Sequence, residues 1–172
     1  MKSGEILSVY SDNNWDLSPY LPKCDCRLNF DSWLENAREN DFLYCQIRAE
    51  MKKISFALLY IKSGKSIIKS IEKRHTILRQ FAAIAYRNGC TLQQLFGDVA
   101  YMSKVNDAYI SVSYQKALQV KAFLTDCFSI QQQHPWLIPA FSTYQPIEYL
   151  AKLAAQLRLQ SGKVGPQTKV VP

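Results

Sequence analysis

The sequence predicts an all-α protein, a compact bundle of five to seven helices with an irregular N-terminal arm and a mobile C-terminal tail. Three observations carry that reading. Apolar residues recur every three or four positions through most of residues 43–157, which is the period of a helix face. The six Gly and seven Pro fall mostly toward the two ends, leaving room for long uninterrupted elements. Cap and stop residues stand where the periodic stretches begin and end. With 48% apolar and 20% charged residues in a chain of 172, the composition is that of an ordinary globular protein. A chain of this size buries about 68–70% of its unfolded surface and needs no metal or disulfide to hold a core.

Residues 1–29 read as an irregular arm, carrying Pro19, Pro22, Asn13-Asn14 and other turn-formers. Residues 5–10 suit either a short strand or an anchored extended arm. The helical domain spans residues 30–160. Asn29 or Asp31 caps a short first helix that turns Trp33, Leu34 and Ala37 inward. From Asp41 the stripe Leu43, Ile47, Met51, Ile54, Leu58, Ile61 predicts a long helix capped by Asn40 or Asp41. Phe56, Ala57 and Leu59 make its second half apolar nearly all round, so that half should be buried.

Ser63-Gly64 interrupts, and a second long helix follows to about Arg87 with Ile67, Ile71, Leu78, Phe81 and Ala85 on its inner face. Asn88-Gly89 stops it, since Gly takes the left-handed C′ conformation readily. Thr91 and Gln94 have the capping-box spacing for a short helix that Gly97-Asp98 ends. Residues 99–106 suit no single element. Ile110, Val112 and Tyr114 alternate with Ser111 and Ser113 as a strand would. Tyr114, Ala117, Leu118, Lys121, Leu124 and Phe128 extend a helical period further, so a helix is expected over about 107–128. An irregular crossing then runs through Gln131-Gln132-Gln133-His134-Pro135 and Pro139. Pro146 opens the last helix, which buries Ile147, Leu150, Ala154 and Leu157, and residues 161–172 form the tail.

Charge is divided sharply along the chain. Residues 1–50 hold nine acids (Glu5, Asp12, Asp16, Asp25, Asp31, Glu35, Glu39, Asp41, Glu50) against five bases. Residues 52–87 hold Lys52, Lys53, Lys62, Lys65, Lys69, Lys73, Arg74, Arg79 and Arg87 against Glu72 alone. The formal +7 is therefore about −4 in front and +11 behind. Lys62, Lys65, Lys69 and Lys73 repeat every three or four residues opposite the apolar stripe. Like charges at that spacing cost helix stability, and a face left for water would intersperse acids. The pattern points to an anionic partner, and these nine cations are the candidate nucleic-acid-binding residues. Arg74 falls near the inner stripe, where a carboxylate or a partner subunit should meet it. The acidic front segment is the rival explanation, since it could cover the basic helix from within the molecule.

Other motifs are weaker. Ser63-Gly64-Lys65-Ser66 has the ending of a phosphate-binding P-loop, but the earlier glycine of that loop falls at Leu59, inside a helix. Cys24-Asp25-Cys26 offers two thiolates where a structural zinc site wants four ligands, commonly at wider spacing. His75 and His134 have no neighbouring groups at the spacing that acid–base or nucleophilic chemistry requires. Ala85 and Gly89, with Ile84, Cys90 and Leu95, resemble a DNA-binding helix-turn-helix over about twenty residues. Asn88 and Asp98 depart from its apolar positions, and residues 92–96 offer Gln93 and Gln94 but no Arg or Lys for a guanine edge.

Residues 1–5 offer no apolar signal core, and the longest apolar run, residues 56–61, is far shorter than a membrane span. Five cysteines without regular spacing fit a reducing, intracellular, cytoplasmic setting. The leading expectation is a non-catalytic helical subunit that holds the phosphate backbone of RNA or DNA through its basic helix. It would require no cofactor or metal and would sit with other protein subunits in a larger assembly. In size and charge the chain is similar to small helical subunits of ribonucleoprotein effector complexes, including CRISPR ones. Two alternatives stand beside it: an adaptor whose basic face docks an acidic protein, and a small helix-turn-helix regulator.

Overall fold

A computed structural model describes residues 8–20, 25–34, 41–61, 65–105, 114–138 and 145–160. The described residues are mostly helical, as expected, with six helices: α1 (Phe42–Tyr60), α2 (Lys65–Arg87), α3 (Leu92–Gly97), α4 (Val99–Val105), α5 (Tyr114–Gln133) and α6 (Gln145–Gln160). The caps are those the sequence announced. The Asp41 side chain accepts from the Leu43 N–H at 2.8 Å and starts α1. At the far end of α2, Gly89 has φ +66°, the Cys90 N–H reaches the Ala85 carbonyl, and the Gly89 N–H reaches that of Tyr86. This is a Schellman stop, and it needs the left-handed residue. Thr91 and Gln94 close both bonds of the capping box on α3.

Three expectations change. The arm is not irregular throughout: β1 (Asn14–Asp16) and β2 (Arg27–Asn29) pair antiparallel, with Trp15 opposite Leu28. Both of these are buried while their neighbours are not, so three-residue strands suffice to cover one edge of the core. Residues 31–34 form turns, in which Asn29 Oδ1 accepts from the Asp31 and Ser32 N–H groups; Ala37 lies outside the described residues. The helix expected over 107–128 runs on to Gln133, so the glutamine run is its last turn. Its expected start, 107–113, lies outside the described residues, as do residues 5–7 of the arm and the tail. The undecided stretch after Asp98 is helix α4, its Ala100 N–H held by the Asp98 side chain at 2.7 Å.

One core joins all of this. Tyr44, Ile47, Met51, Ile54 and Leu58 of α1 meet Ile71, Leu78, Phe81 and Ala82 of α2, and all are essentially without exposure. Phe81, Phe96 and Phe123 interlock edge to face at 5.3–6.3 Å, drawing α3 and α5 onto α2. Trp33 stacks on Tyr44 at 4.5 Å, and Trp15 meets Phe30 at 4.8 Å, so aromatic rings seat the N-terminal segment on the helices.

Buried polar groups then tie neighbouring elements together. The Glu50 carboxylate accepts from the Leu92 N–H at 2.7 Å, supplying α1's partner to the open N-terminus of α3. Burial pushes its carboxyl above the usual range, and the α3 amides pull it back in part. His75 on α2, 5% exposed, uses Nε2–H to reach the Asn29 carbonyl at 2.8 Å and packs edge-on against Phe30. Its Nδ1 is buried with no hydrogen-bond partner among the described residues.

Two outcomes follow from these groups. Glu50→Gln keeps an acceptor and should cost less than Glu50→Ala, which leaves α3 amides buried and unpaired at about 1–3 kcal/mol; urea melts compare them. His75 is held neutral by burial, with its pKa lowered to about 4 against 6.5 for the free side chain. The stability it contributes is complete above about pH 6.5 and is lost as pH falls toward 4, by up to about 3 kcal/mol. Thermal melts between pH 7 and 4 should fall less steeply in His75→Gln.

Candidate nucleic-acid interface

The structure sorts six of the nine candidate cations into two kinds. Lys52, Arg74 and Arg79 are turned to internal use. Lys52, 8% exposed, gives its ammonium to the Ser11 carbonyl and to Asn13 Oδ1, each at 2.8 Å, with the Phe30 ring 5.9 Å away. Burial, and next the neighbouring Arg48, lowers its pKa. Arg74 forms an ion pair with Asp126 of α5, Nε to Oδ2 being 3.2 Å, and also binds Ser70 Oγ. Less than a fifth of either ionic side chain is exposed. Arg79 donates to the Ser32 carbonyl and, at 3.1 Å, to its hydroxyl. Helical periodicity places these three residues among their basic neighbours. What separates them is the position of Ser11, Ser32 and Asp126 in space.

Lys53, Lys73 and Arg87 are the second kind. Each is exposed, and none donates a hydrogen bond or forms a salt bridge among the described residues. Lys65 and Lys69 lie on α2 eight and four residues before Lys73, and so in one row of the helix backbone. Exposed Thr76 and Gln80 continue that side of α2 toward Arg87. Lys62 lies outside the described residues. Just past Arg87, exposed Lys104 donates to Asn88 Oδ1 at 3.0 Å and stands 5.2 Å from the Tyr101 ring centre. It extends the basic side onto α4, and a count restricted to residues 52–87 misses it.

Among the described residues, the acidic front segment forms one salt bridge to a cation of α1 or α2. Asp31 Oδ1 binds Arg48 at 2.7 Å and raises that guanidinium's pKa further. Lys52, His75 and Arg79 are met chiefly by main-chain carbonyls of residues 11, 29 and 32.

A second surface went unread in the sequence. Tyr10, Trp15, Asp16, Tyr20, Phe56 and Tyr60 line a groove of about 230 Å³ between the β1–β2 segment and the end of α1. Tyr60 and Tyr20 are 67% and 64% exposed; Tyr60 departs from the expectation that the second half of α1 is buried. The Phe56 and Tyr60 rings lie 4.4 Å apart, Tyr10 meets Phe56 at 5.9 Å, and Tyr10 stands 5.7 Å from Trp15. Phe56 and Tyr60 are one helical turn apart, a spacing visible in the sequence but indistinguishable there from core.

The weaker motifs find definite places. α1 continues as helix through Leu59 to Tyr60, so a helix stands where a P-loop has its strand. Cys26 is buried, Asp25 pairs with Arg27 at 3.3 Å, and Cys24 lies outside the described residues. No group of three or more His, Cys, Asp or Glu among the described residues is placed to hold a metal ion. The α2–α3 corner has the turn of a helix-turn-helix. Its second helix is only six residues, or about 9 Å, with Leu92, Leu95 and Phe96 buried and Gln94 committed to the capping box. That leaves the Gln93 side chain exposed and without a hydrogen bond among the described residues, its backbone amide being turned to Glu50. No described helix is long and apolar enough to cross a membrane. Compared with known proteins, the chain matches no family model, no curated protein and no solved structure.

The sorting of cations has a direct consequence for stability. Lys52→Ala and Arg74→Ala should each destabilise the fold by about 2–4 kcal/mol, the latter by removing the guanidinium that Asp126 binds in a largely enclosed site. Lys53→Ala, Lys73→Ala and Arg87→Ala should stay within about 0.5 kcal/mol. Chemical denaturation of the five variants measures the split.

Proposed function

We propose that this protein is a non-catalytic, helical nucleic-acid-binding subunit that grips the phosphate backbone along the exposed side of α2. The observation that carries the reading is the division of cations. The fold satisfies Arg48, Lys52, Arg74 and Arg79 internally, yet Lys53, Lys73 and Arg87 stand in solvent with no acceptor among the described residues. Lysines at helical spacing act as point charges suited to phosphates of any sequence, and each neutralised phosphate releases counterions. The buried carboxylate and imidazole, Glu50 and His75, each bond one element to another, which fits a binding role better than a catalytic one. Phe42, Trp136 and Leu159 are 82%, 73% and 82% exposed, and large apolar groups so placed suit contacts with further subunits of an assembly.

The reading has a quantitative signature. Affinity for random-sequence nucleic acid should fall linearly with salt on logarithmic axes, with slope about −0.7 per phosphate contact for single strands and −0.9 for duplex. Lys65→Glu with Lys69→Glu should abolish binding at low salt. Lys73→Ala should retain it with a slope shallower by about one contact. Fluorescence anisotropy across a salt series reads all three. A wild-type protein that binds neither form at low salt would eliminate the proposal and favour the acidic-protein adaptor.

A further inference from the structure

We propose that the aromatic groove beside the end of α1 receives one unpaired base of a single-stranded nucleic acid. This inference rests on the phosphate-binding reading and deepens it by adding a strand preference. Three features of the groove carry it.

The first is ring geometry. Tyr60 and Tyr20 hold most of their surface in water, while Phe56 and the largely buried Trp15 anchor the aromatic set behind them. The Trp15 indole N–H is fixed to the Asp12 carbonyl at 3.1 Å, and Tyr60 lies 4.4 Å from Phe56. Tyr60, held against Phe56, presents a π-face without further ordering, which is what stacking a base requires, and Tyr20 lines the same groove. The second feature is size. At about 230 Å³ the groove is smaller than the roughly 300 Å³ at which pockets for drug-sized ligands begin, so it suits one planar ring system. Asp16 stands in the wall, its Oδ1 already accepting the Ser18 N–H at 2.9 Å, and its carboxylate is an acceptor for the N–H groups of a base edge.

The third feature is charge. Exposed Lys53 lies three residues before Phe56 and seven before Tyr60, on the same side of α1. Five residues past Tyr60, Lys65 begins α2 and its basic row. A strand that places a base in the groove against Tyr60 would therefore have its phosphates beside cations. A proline-rich peptide also stacks on Tyr and Trp, but its backbone carries no charge to match those lysines. Duplex bases are already stacked and paired, and do not enter.

The test uses two single strands of equal length and charge, one with ordinary bases and one abasic throughout. The full-length protein should bind the ordinary strand about tenfold more tightly. Tyr60→Ala and Tyr20→Ala should each erase most of that difference and leave the salt slope unchanged, whereas Tyr60→Phe should retain it. Both tyrosines are largely exposed, and circular dichroism verifies that the variants fold. Equal binding of the two strands with the salt slope intact overturns the groove and leaves the phosphate reading standing. Binding of neither strand at low salt removes both. A proline-rich peptide that binds in a Tyr60-dependent way, with the two strands indistinguishable, overturns the inference in favour of a peptide site.

Discussion

The charged and imidazole side chains that α1 and α2 draw inward find partners on other elements. Unpaired, each would cost as much as several core methyl groups contribute. Glu50 finds an α3 amide, Arg74 an α5 carboxylate, Lys52 the chain at residues 11–13, His75 the end of β2, and Arg79 the turn at Ser32. The apolar faces of the two helices would tolerate many arrangements of their surroundings. These bonds, being directional, tolerate few. They fix where the N-terminal segment lies, and so decide which cations remain outside and where the groove forms.

Much of the fold was legible in the sequence because it follows local rules. The stripe from Leu43 to Leu58 gives α1 directly, and Asp41, Gly89, Thr91 and Gln94 act through bonds to residues at most five positions away. The strands were not legible. Asn14-Trp15-Asp16 and Arg27-Leu28-Asn29 are too short to show a period, and each becomes a strand only beside the other. Gln131 to Gln133 look like a linker, yet they continue α5 because nothing in the run breaks a helix.

The candidate site was legible only in part, and the pair Lys52 and Lys53 shows why. They are adjacent, identical and both basic, but lie about 100° apart around α1. One meets Ser11 and Asn13 and the other meets water, a difference created by residues some forty positions earlier. Arg74 was recognisable as doubtful from its position near the inner stripe, though not its partner Asp126, 52 residues away. The groove escaped for the opposite reason. Phe56 and Tyr60 show the spacing of a buried face, and only the packing reveals that Tyr60 stands beyond the edge of the core.

The main-chain acceptors of the N-terminal segment have a further consequence. Carbonyls of residues 11, 12, 29, 30, 31 and 32 receive Lys52, Trp15, His75, Trp33, Tyr44 and Arg79 in turn. A carbonyl belongs to the backbone, whatever side chain its residue carries. The specificity of docking is thus written on the donors, while the receiving positions are freer to drift. A carbonyl is also a dipole and not a countercharge, so the lysine and arginine it anchors remain full positive monopoles. The segment fastens these cations chiefly through dipoles, with Asp31 and Asp12 offsetting Lys52 only from a distance, and they still add to the long-range field that a polyanion would feel on approach.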